Sequence, residues 1–207
     1  MVVDVRRCVG CQTCTIACKQ EHGLPPGTAW RFVVDVEIGE YPDVRRLFLP
    51  MQCMHCADPP CVPVCPTGAS RQRGDGIVFV HYDACVGCGY CAMACPYHAR
   101  HLVREADGYF GEPTPAERLA GHPERRGVMT KCTFCRERVD AGLARGLTPG
   151  VDPDATPMCS VACIADAIIF GDLDDPTSRV ARTVAEGKAQ PLLPECGTRP
   201  NVFYLVD

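Results

Sequence analysis

Aromatic residues are scarce in this 207-residue chain: one Trp, six Tyr and seven Phe make up 7% of it. Nineteen Gly and nineteen Pro interrupt the apolar stretches that remain, which argues against a large, well-filled hydrophobic core, so something besides apolar burial must hold the fold. No apolar run approaches the roughly 18 residues of a membrane span. The opening Met1–Arg7 (MVVDVRR) lacks the charged-then-apolar plan of a signal peptide, so the expectation is a soluble chain with no direct membrane span and no export signal of its own. A basic excess is missing too. The 21 Lys and Arg stand against 25 Asp and Glu, a net charge of −4, which offers no electrostatic footprint for nucleic acid.

Cysteine, by contrast, is abundant: 17 residues. Sixteen form four groups of four. The first is Cys8, Cys11, Cys14, Cys18 (C-x2-C-x2-C-x3-C), and the third, Cys85, Cys88, Cys91, Cys95, repeats that spacing and is followed by Pro96. The second is Cys53, Cys56, Cys61, Cys65, followed by Pro66; the fourth opens with Cys132 and Cys135 and closes with Cys159 and Cys163. Three chemistries use such groups. A disulfide framework belongs to short secreted chains, and closely repeated CxxC pairs give it poor geometry. Zinc ribbons take two well-separated CxxC pairs per ion, whereas here three cysteines crowd one loop with a fourth just beyond. The C-x2-C-x2-C-x3-C-P run is that of two-cluster bacterial ferredoxins, in which three thiolates hold one cubane and the fourth ligates its neighbour. Four 4Fe-4S clusters are the expectation.

The spacing also predicts a fold. Three thiolates converge from a loop whose backbone N–H groups point at the sulfurs, and Gly10, Gly87 and Gly89 let the loop close. The x3 step is a turn of helix that carries the fourth cysteine to the adjacent cluster. After Cys65 come a Pro66–Ala69 turn, a β-rich Ile77–Val80 and then Cys85, so groups two and three read as one contiguous module. Groups one and four then pair around it, with Val2–Val5 and Ala167–Phe170 as partner strands. The expected class is α+β: two ferredoxin-like two-cluster modules, one inserted in the other, with long irregular loops. The outer module takes 1–46 plus 104–175, the inner one 47–103, and 176–207 is a C-terminal tail. From this nesting the ligand sets are Cys8/Cys11/Cys14/Cys163, Cys18/Cys132/Cys135/Cys159, Cys53/Cys56/Cys61/Cys95 and Cys65/Cys85/Cys88/Cys91.

Together, Cys8-Val9-Gly10-Cys11-Gln12-Thr13-Cys14-Thr15-Ile16-Ala17-Cys18-Lys19, Cys53-Met54-His55-Cys56-Ala57-Asp58-Pro59-Pro60-Cys61, Lys131-Cys132-Thr133-Phe134-Cys135 and Phe170–Pro176 resemble the four-cluster iron-sulfur subunit of the dimethyl sulfoxide reductase superfamily of molybdenum and tungsten oxidoreductases. The tail from Pro194 to Tyr204 is similar to that of the small subunits of polysulfide, thiosulfate, tetrathionate and arsenate reductases and sulfite dehydrogenases. All of Cys85, Cys88, Cys91 and Cys95 are present, unlike the nitrate reductase branch, where a Trp replaces one. The C-terminal PLLPECGTRPNVFYLVD is too short and polar for the membrane helix of the formate dehydrogenase branch, and Ile164 stands where the family often has Pro.

The resemblance implies a non-catalytic electron-transfer subunit. Its partners would be a large bis-molybdopterin catalytic subunit, which holds the molybdopterin cofactor, and a quinone-reactive membrane subunit or a soluble electron acceptor. The alternative is a free soluble polyferredoxin shuttling between several enzymes; the insertions 104–130 and 136–158, read as docking surfaces, argue against it. Location follows from the partner: a soluble subunit of a membrane-associated complex, cytoplasmic or exported folded with the catalytic subunit. Cys196 is expected to be a buried or partly buried packing residue, and Trp30 a packing one. His55 is a spacer or a hydrogen-bonding tuner of its cluster, and Lys19 and Lys131 are solvated charges or tuners of a potential. In the tail, expected to have no chemistry of its own, Ser178–Gly187 reads as a short helix and Asn201–Val206 as a strand that packs on the outer module or on a partner. With about −2 on each oxidised cubane and its thiolates, the loaded chain carries about −12, and the apoprotein is expected to be largely unfolded.

Overall fold

A computed structural model of the chain describes residues 1–104, 108–120 and 122–206. Its elements are short, as the Gly and Pro content requires. The chain opens with β1 (Val2–Asp4), whose three residues are all buried, and enters α1 (Thr13–Glu21) through Gln12 in the left-handed region. Then come β2 (Phe32–Ile38) and β3 (Arg45–Met51), β4 (Ser70–Gln72) and β5 (Val78–Val80), α2 (Tyr90–Met93) and β6 (His101–Leu102). The second half holds α3 (Pro115–Ala120), β7 (Met129–Thr130), α4 (Arg136–Ala144), α5 (Met158–Val161) and β8 (Ile168–Ile169). The chain ends in α6 (Arg179–Ala185), β9 (Ala189–Pro191) and β10 (Phe203–Leu205).

A four-stranded sheet in the order β8-β1-β10-β9 ties the two ends of the chain together. β1 pairs antiparallel with β8, Val3 opposite Ile168 and Val2 opposite Ile169, so the strands expected before Cys8 and after Cys163 are partners. On its other side β1 runs parallel to β10, Val2 opposite Phe203. Of the two places open to the tail, it therefore takes the one on this sheet. α6 covers the sheet with Val180, fully buried, and is capped as its sequence suggests: the Ser178 hydroxyl accepts from Ala181 N–H at 3.0 Å, which satisfies one of the free donors of the first turn.

The β-rich stretch expected at Ile77–Val80 is β5, which pairs with β4 in a hairpin between groups two and three, Ser70 opposite Val80. A second hairpin was not expected: β2 and β3 pair over seven residues from Phe32–Met51 to Ile38–Arg45. The 136–158 insertion is more regular than the irregular loop expected of it. α4 runs through it, and its Gly142 lies so close to Ala155 that a Cβ there would sit 2.5 Å from the Ala155 methyl. Of the 104–130 insertion, residues 105–107 and 121 lie outside the described residues, as does Asp207. The architecture is α+β, and the main core is sulfur-rich: Cys14, Cys18, Cys53, Cys56, Cys132 and Cys159 pack among Trp30, Met54, Tyr97 and Tyr204. Among the described residues no helix is long and apolar enough to cross a membrane.

Candidate metal centres

All four cysteine groups open in the same way. The residue before the second cysteine is left-handed in each: Gly10 at φ 69°, His55 at 44°, Gly87 at 67° and Phe134 at 54°. In the loops of His55 and Phe134 this conformation turns the backbone N–H inward, onto the first sulfur. His55 N–H donates to Cys53 Sγ and Phe134 N–H to Cys132 Sγ, both at 3.5 Å. Other donors approach from outside the loops, Ser70 N–H to Cys65 at 3.4 Å, Ala167 N–H to Cys163 at 3.3 Å and Met129 N–H to Cys85 at 3.4 Å. Such bonds favour a charged sulfur.

In α1, Cys14 and Cys18 are one turn apart on one face and both buried, yet they meet different neighbours. A cavity is lined by Cys8, Cys11, Cys14 and Cys163, with Val33 and Pro50 on its wall. Cys18 instead faces Cys132, Cys159 and Cys135, and burial together with those thiols pushes its pKa far up. Cys56 lies among Cys53, Cys61 and Cys95, and burial, opposed by a hydrogen bond from Thr198, pushes it up to about 12. Cys91 is near Cys85 and also near Cys61, and its pKa is raised by burial. Cys65 is half-buried and Cys88 exposed. All seventeen cysteines are free thiols. Among the described residues no three His, Cys, Asp or Glu side chains close on one point as a single metal ion needs.

Exposure separates the sets. Cys18, Cys132, Cys135 and Cys159 are all buried, as are Cys53, Cys56 and Cys61, whereas Cys11 and Cys88 are exposed. Thiols of different expected sets also act on one another's charge: Cys14 on Cys159, Cys53 on Cys132 and Cys61 on Cys91.

The donor sets fit an iron-sulfur group. Grouped thiols are soft donors of the kind that bind iron-sulfur clusters, and the surrounding cations lack counter-charge. Arg31 Nε and Nη2, Arg100 Nη1 and His55 Nε2 are buried without a hydrogen-bond partner. An orphaned buried donor is costly, and the thiols around these three expect an anionic group.

Several residues prove more involved than their sequence suggested. His55 donates to Cys53, accepts from Val78 N–H through Nδ1 at 3.0 Å and stacks on Phe134, ring centroids 3.8 Å apart. Lys131 is 1% exposed, which removes the solvated reading, and its ammonium donates to the Cys132 carbonyl. Lys19 is a staple for its own loop, donating to the carbonyls of Pro25 and Thr28. Trp30 packs as expected, buried against His22 and donating to Thr130 Oγ1 at 2.9 Å.

Two expectations are corrected. Cys196 is exposed, because it sits in the tight turn Pro194–Cys196 at the surface. The tail also reaches a cysteine group: Thr198 acts on the Cys56 thiol and Asn201 Nδ2 donates to the His55 carbonyl at 2.7 Å, since β10 draws this segment across group two. Sequence reasoning missed Arg31, Arg100 and the His22 ring, whose Nε2 is 3.2 Å from Cys135 Sγ. Only Arg100 had a signal. It follows Cys95 at the same interval as Ser70 follows Cys65, and the two side chains touch, Nη2 to Oγ, at 2.7 Å.

Comparison with known proteins agrees with this chemistry. Residues 44–108 match the 4Fe-4S dicluster domain family. Over 99% of its length the chain is 40% identical to the B subunit of selenate reductase from Mesobacillus selenatarsenatis, covering 70% of that protein. It is 40% identical to the B subunit of tetrathionate reductase from Salmonella typhimurium, over 99% of this chain and 71% of that one. It is 35% identical to the menaquinone reductase iron-sulfur cluster-binding subunit of Nitratidesulfovibrio vulgaris, over 99% and 87%.

Proposed function

The chain belongs to the iron-sulfur electron-transfer subunits of the dimethyl sulfoxide reductase superfamily, and from this we propose that it holds four 4Fe-4S clusters and conducts electrons between a molybdopterin-type catalytic subunit and a second partner. It does no bond chemistry itself. When bound, such clusters carry one electron each, and with every iron on a protein thiolate none is open to substrate.

In this reading the ligand sets are Cys8/Cys11/Cys14/Cys163, Cys18/Cys132/Cys135/Cys159, Cys53/Cys56/Cys61/Cys95 and Cys65/Cys85/Cys88/Cys91, and they form a row in that order. The single observation that carries it is the gradient of thiol exposure: in the middle two sets every cysteine is buried except the half-buried Cys95, while the first and last each present an exposed cysteine. The thiol pairs Cys159–Cys14, Cys132–Cys53 and Cys91–Cys61 support the same succession. The chain's own work is to keep water from the middle, supply N–H donors to sulfur, and offer each end to a partner. Val9 and Ile16 beside the first set, and Val86, Tyr90 and Met93 beside the last, are exposed apolar residues suited to such contacts.

The inner module 47–103, nested in 1–46 plus 104–175, is supported by the match over 44–108. Relatives named as subunits of selenate and tetrathionate reductases support a catalytic partner, and the menaquinone reductase relative supports a quinone-reactive membrane subunit as the second, with a soluble acceptor as its substitute. The protein is then a soluble part of a membrane-associated complex, on whichever side its catalytic partner resides.

Anaerobic purification of the native protein tests this. A stable complex with a large molybdenum or tungsten subunit, showing four distinguishable cluster signals, is expected. A monomer that reduces several unrelated enzymes would instead establish a free polyferredoxin.

A further inference from the structure

We propose that Arg31, Lys131 and Arg100 are gap cations, one at each of the three junctions between successive ligand sets, and that each sets the reduction potentials of both clusters it lies between. The inference rests on the ligand sets proposed above.

Each side chain reaches thiols of two sets. Arg31 is 1% exposed. Its Nη1 is 3.6 Å from Cys159 Sγ, in the second set, and Cys14 of the first set is the other thiol that acts on its charge. Lys131 is equally buried. It is the chain neighbour of Cys132 of the second set, its ammonium donates to the Cys132 carbonyl, and Cys53 and Cys61 of the third set act on its charge. Arg100 is 6% exposed, with Nη2 2.8 Å from Cys61 Sγ, in the third set, and 2.7 Å from the hydroxyl of Ser70, whose N–H donates to Cys65 of the fourth. Three gaps thus hold three buried cations.

None of the three has a carboxylate partner among the described residues; the ion pairs present involve other cations. A buried cation without a counter-charge is strongly unfavourable. Among the described residues, the groups that favour their charged forms are chiefly cysteine sulfurs. Burial works against the charged form in all three; for Arg31 and Arg100 the neighbouring sulfurs more than offset it and the pKa ends up raised, whereas for Lys131 burial prevails and the pKa is lowered. Free donors remain for an acceptor as well, Arg31 Nε and Nη2 and Arg100 Nη1.

A fixed positive charge in a gap attracts an added electron on either side of it, and the attraction falls with distance. It therefore raises the potentials of its two flanking clusters more than those of the remote pair. The end gaps use the planar fork of Arg, which can address two sulfurs at once, and the middle gap uses the point charge of Lys.

The test is redox titration, followed by electron paramagnetic resonance, of the purified complex carrying Arg31→Gln, Lys131→Met or Arg100→Gln. Each variant is expected to lower the reduction equilibrium constant of its two flanking clusters about tenfold, or about 59 mV for a one-electron couple, with the other two within about twofold. The charge-keeping Arg31→Lys, Lys131→Arg and Arg100→Lys are expected to stay near the parent. Unmoved potentials, an equal shift in all four clusters, or a shift on one flank only would overturn the assignment. If a neutral variant fails to assemble, iron content decides: clusters kept by the charge-keeping partner support the cation, and clusters lost in both overturn it. Fewer than four signals in the parent complex would sink the ligand sets themselves, whereas four signals indifferent to these cations sink only the gap assignment.

Discussion

The four cysteine loops share one backbone turn but fill it in two ways. In the two loops that carry an exposed cysteine, Cys11 and Cys88, the left-handed residue is glycine. A Cβ on Gly10 would sit 2.5 Å from the Phe48 ring, and one on Gly87 2.3 Å from the Gly127 carbonyl oxygen, so these loops are closely covered and thin. In the two loops whose first pair of cysteines is buried the same turn is made by His55 and Phe134, at φ 44° and 54°, where a residue with a Cβ is disfavoured. Their rings stack at 21° to each other, and Phe134 meets Phe170 edge-on at 5.4 Å. Strain in the two middle loops is offset by joining them. The end loops trade that cohesion for sulfurs close to the surface.

The largest effect erases the comparison altogether. Thiols crowded as these are have no reason to stay together without iron, and the aromatic content is too small to hold them by burial. Anaerobic chelation is therefore expected to abolish the whole cooperative transition, a stability of roughly 5–15 kcal/mol, at ends and middle alike. A thermal melt of the iron-free chain that kept a sharp transition would show the apolar core to be sufficient.

The next breaks the middle seam. Phe134→Ala removes a buried ring while keeping the left-handed strain, and is expected to cost about 3–5 kcal/mol. Phe134→Gly gives the middle loop the residue of an end loop. It loses the same ring but relieves roughly 1–2 kcal/mol of backbone strain. Denaturant unfolding should thus rank glycine as the milder change, the reverse of the usual order at buried positions. If alanine proves milder, strain at φ 54° is not what distinguishes the loops.

How much of this was legible follows from the range of each signal. The sixteen candidate ligands, the helical x3 step and the strands at Val2–Asp4 and Ile168–Ile169 are written in local spacing and β-branched runs. The Ser178 cap and its helix are local as well. The aromatic stack joins residues 79 positions apart in the chain, and Arg31 reaches Cys159 across 128 positions, so no window of sequence contains either pair. The β2–β3 hairpin escaped notice because its strands carry Asp35, Glu37, Arg45 and Arg46 among the apolar residues and stand half in solvent. Hydrophobic patterning of a partly covered ribbon is weak.

The tail sharpens the contrast between middle and surface on a smaller scale. Thr198 is 5% exposed; its hydroxyl is 2.6 Å from the Tyr97 phenol and also serves Cys56, a thiol of the buried middle. Thr198→Val keeps the shape and deletes the hydroxyl, leaving a buried phenol one partner short, although the Leu192 carbonyl still accepts from it at 3.2 Å. A cost of about 1–1.5 kcal/mol in unfolding free energy is expected, with iron content unchanged.

Two residues earlier, Cys196 should do almost nothing. It is exposed, in a turn whose geometry comes from its neighbours: Leu193 at φ 50°, Pro194, and Gly197 at φ 65°. Its N–H donates to the Leu193 carbonyl at 3.1 Å, a backbone bond that serine keeps. A surface substitution of this kind stays within about 0.5 kcal/mol. Cys196→Ser is accordingly expected to leave the unfolding midpoint and the iron content unchanged, and to remove the one thiol that alkylates rapidly in the cluster-loaded protein. Loss of iron with Cys196→Ser would mean that a seventeenth cysteine takes part in cluster binding or assembly, and the division between sixteen ligands and one bystander would have to be redrawn.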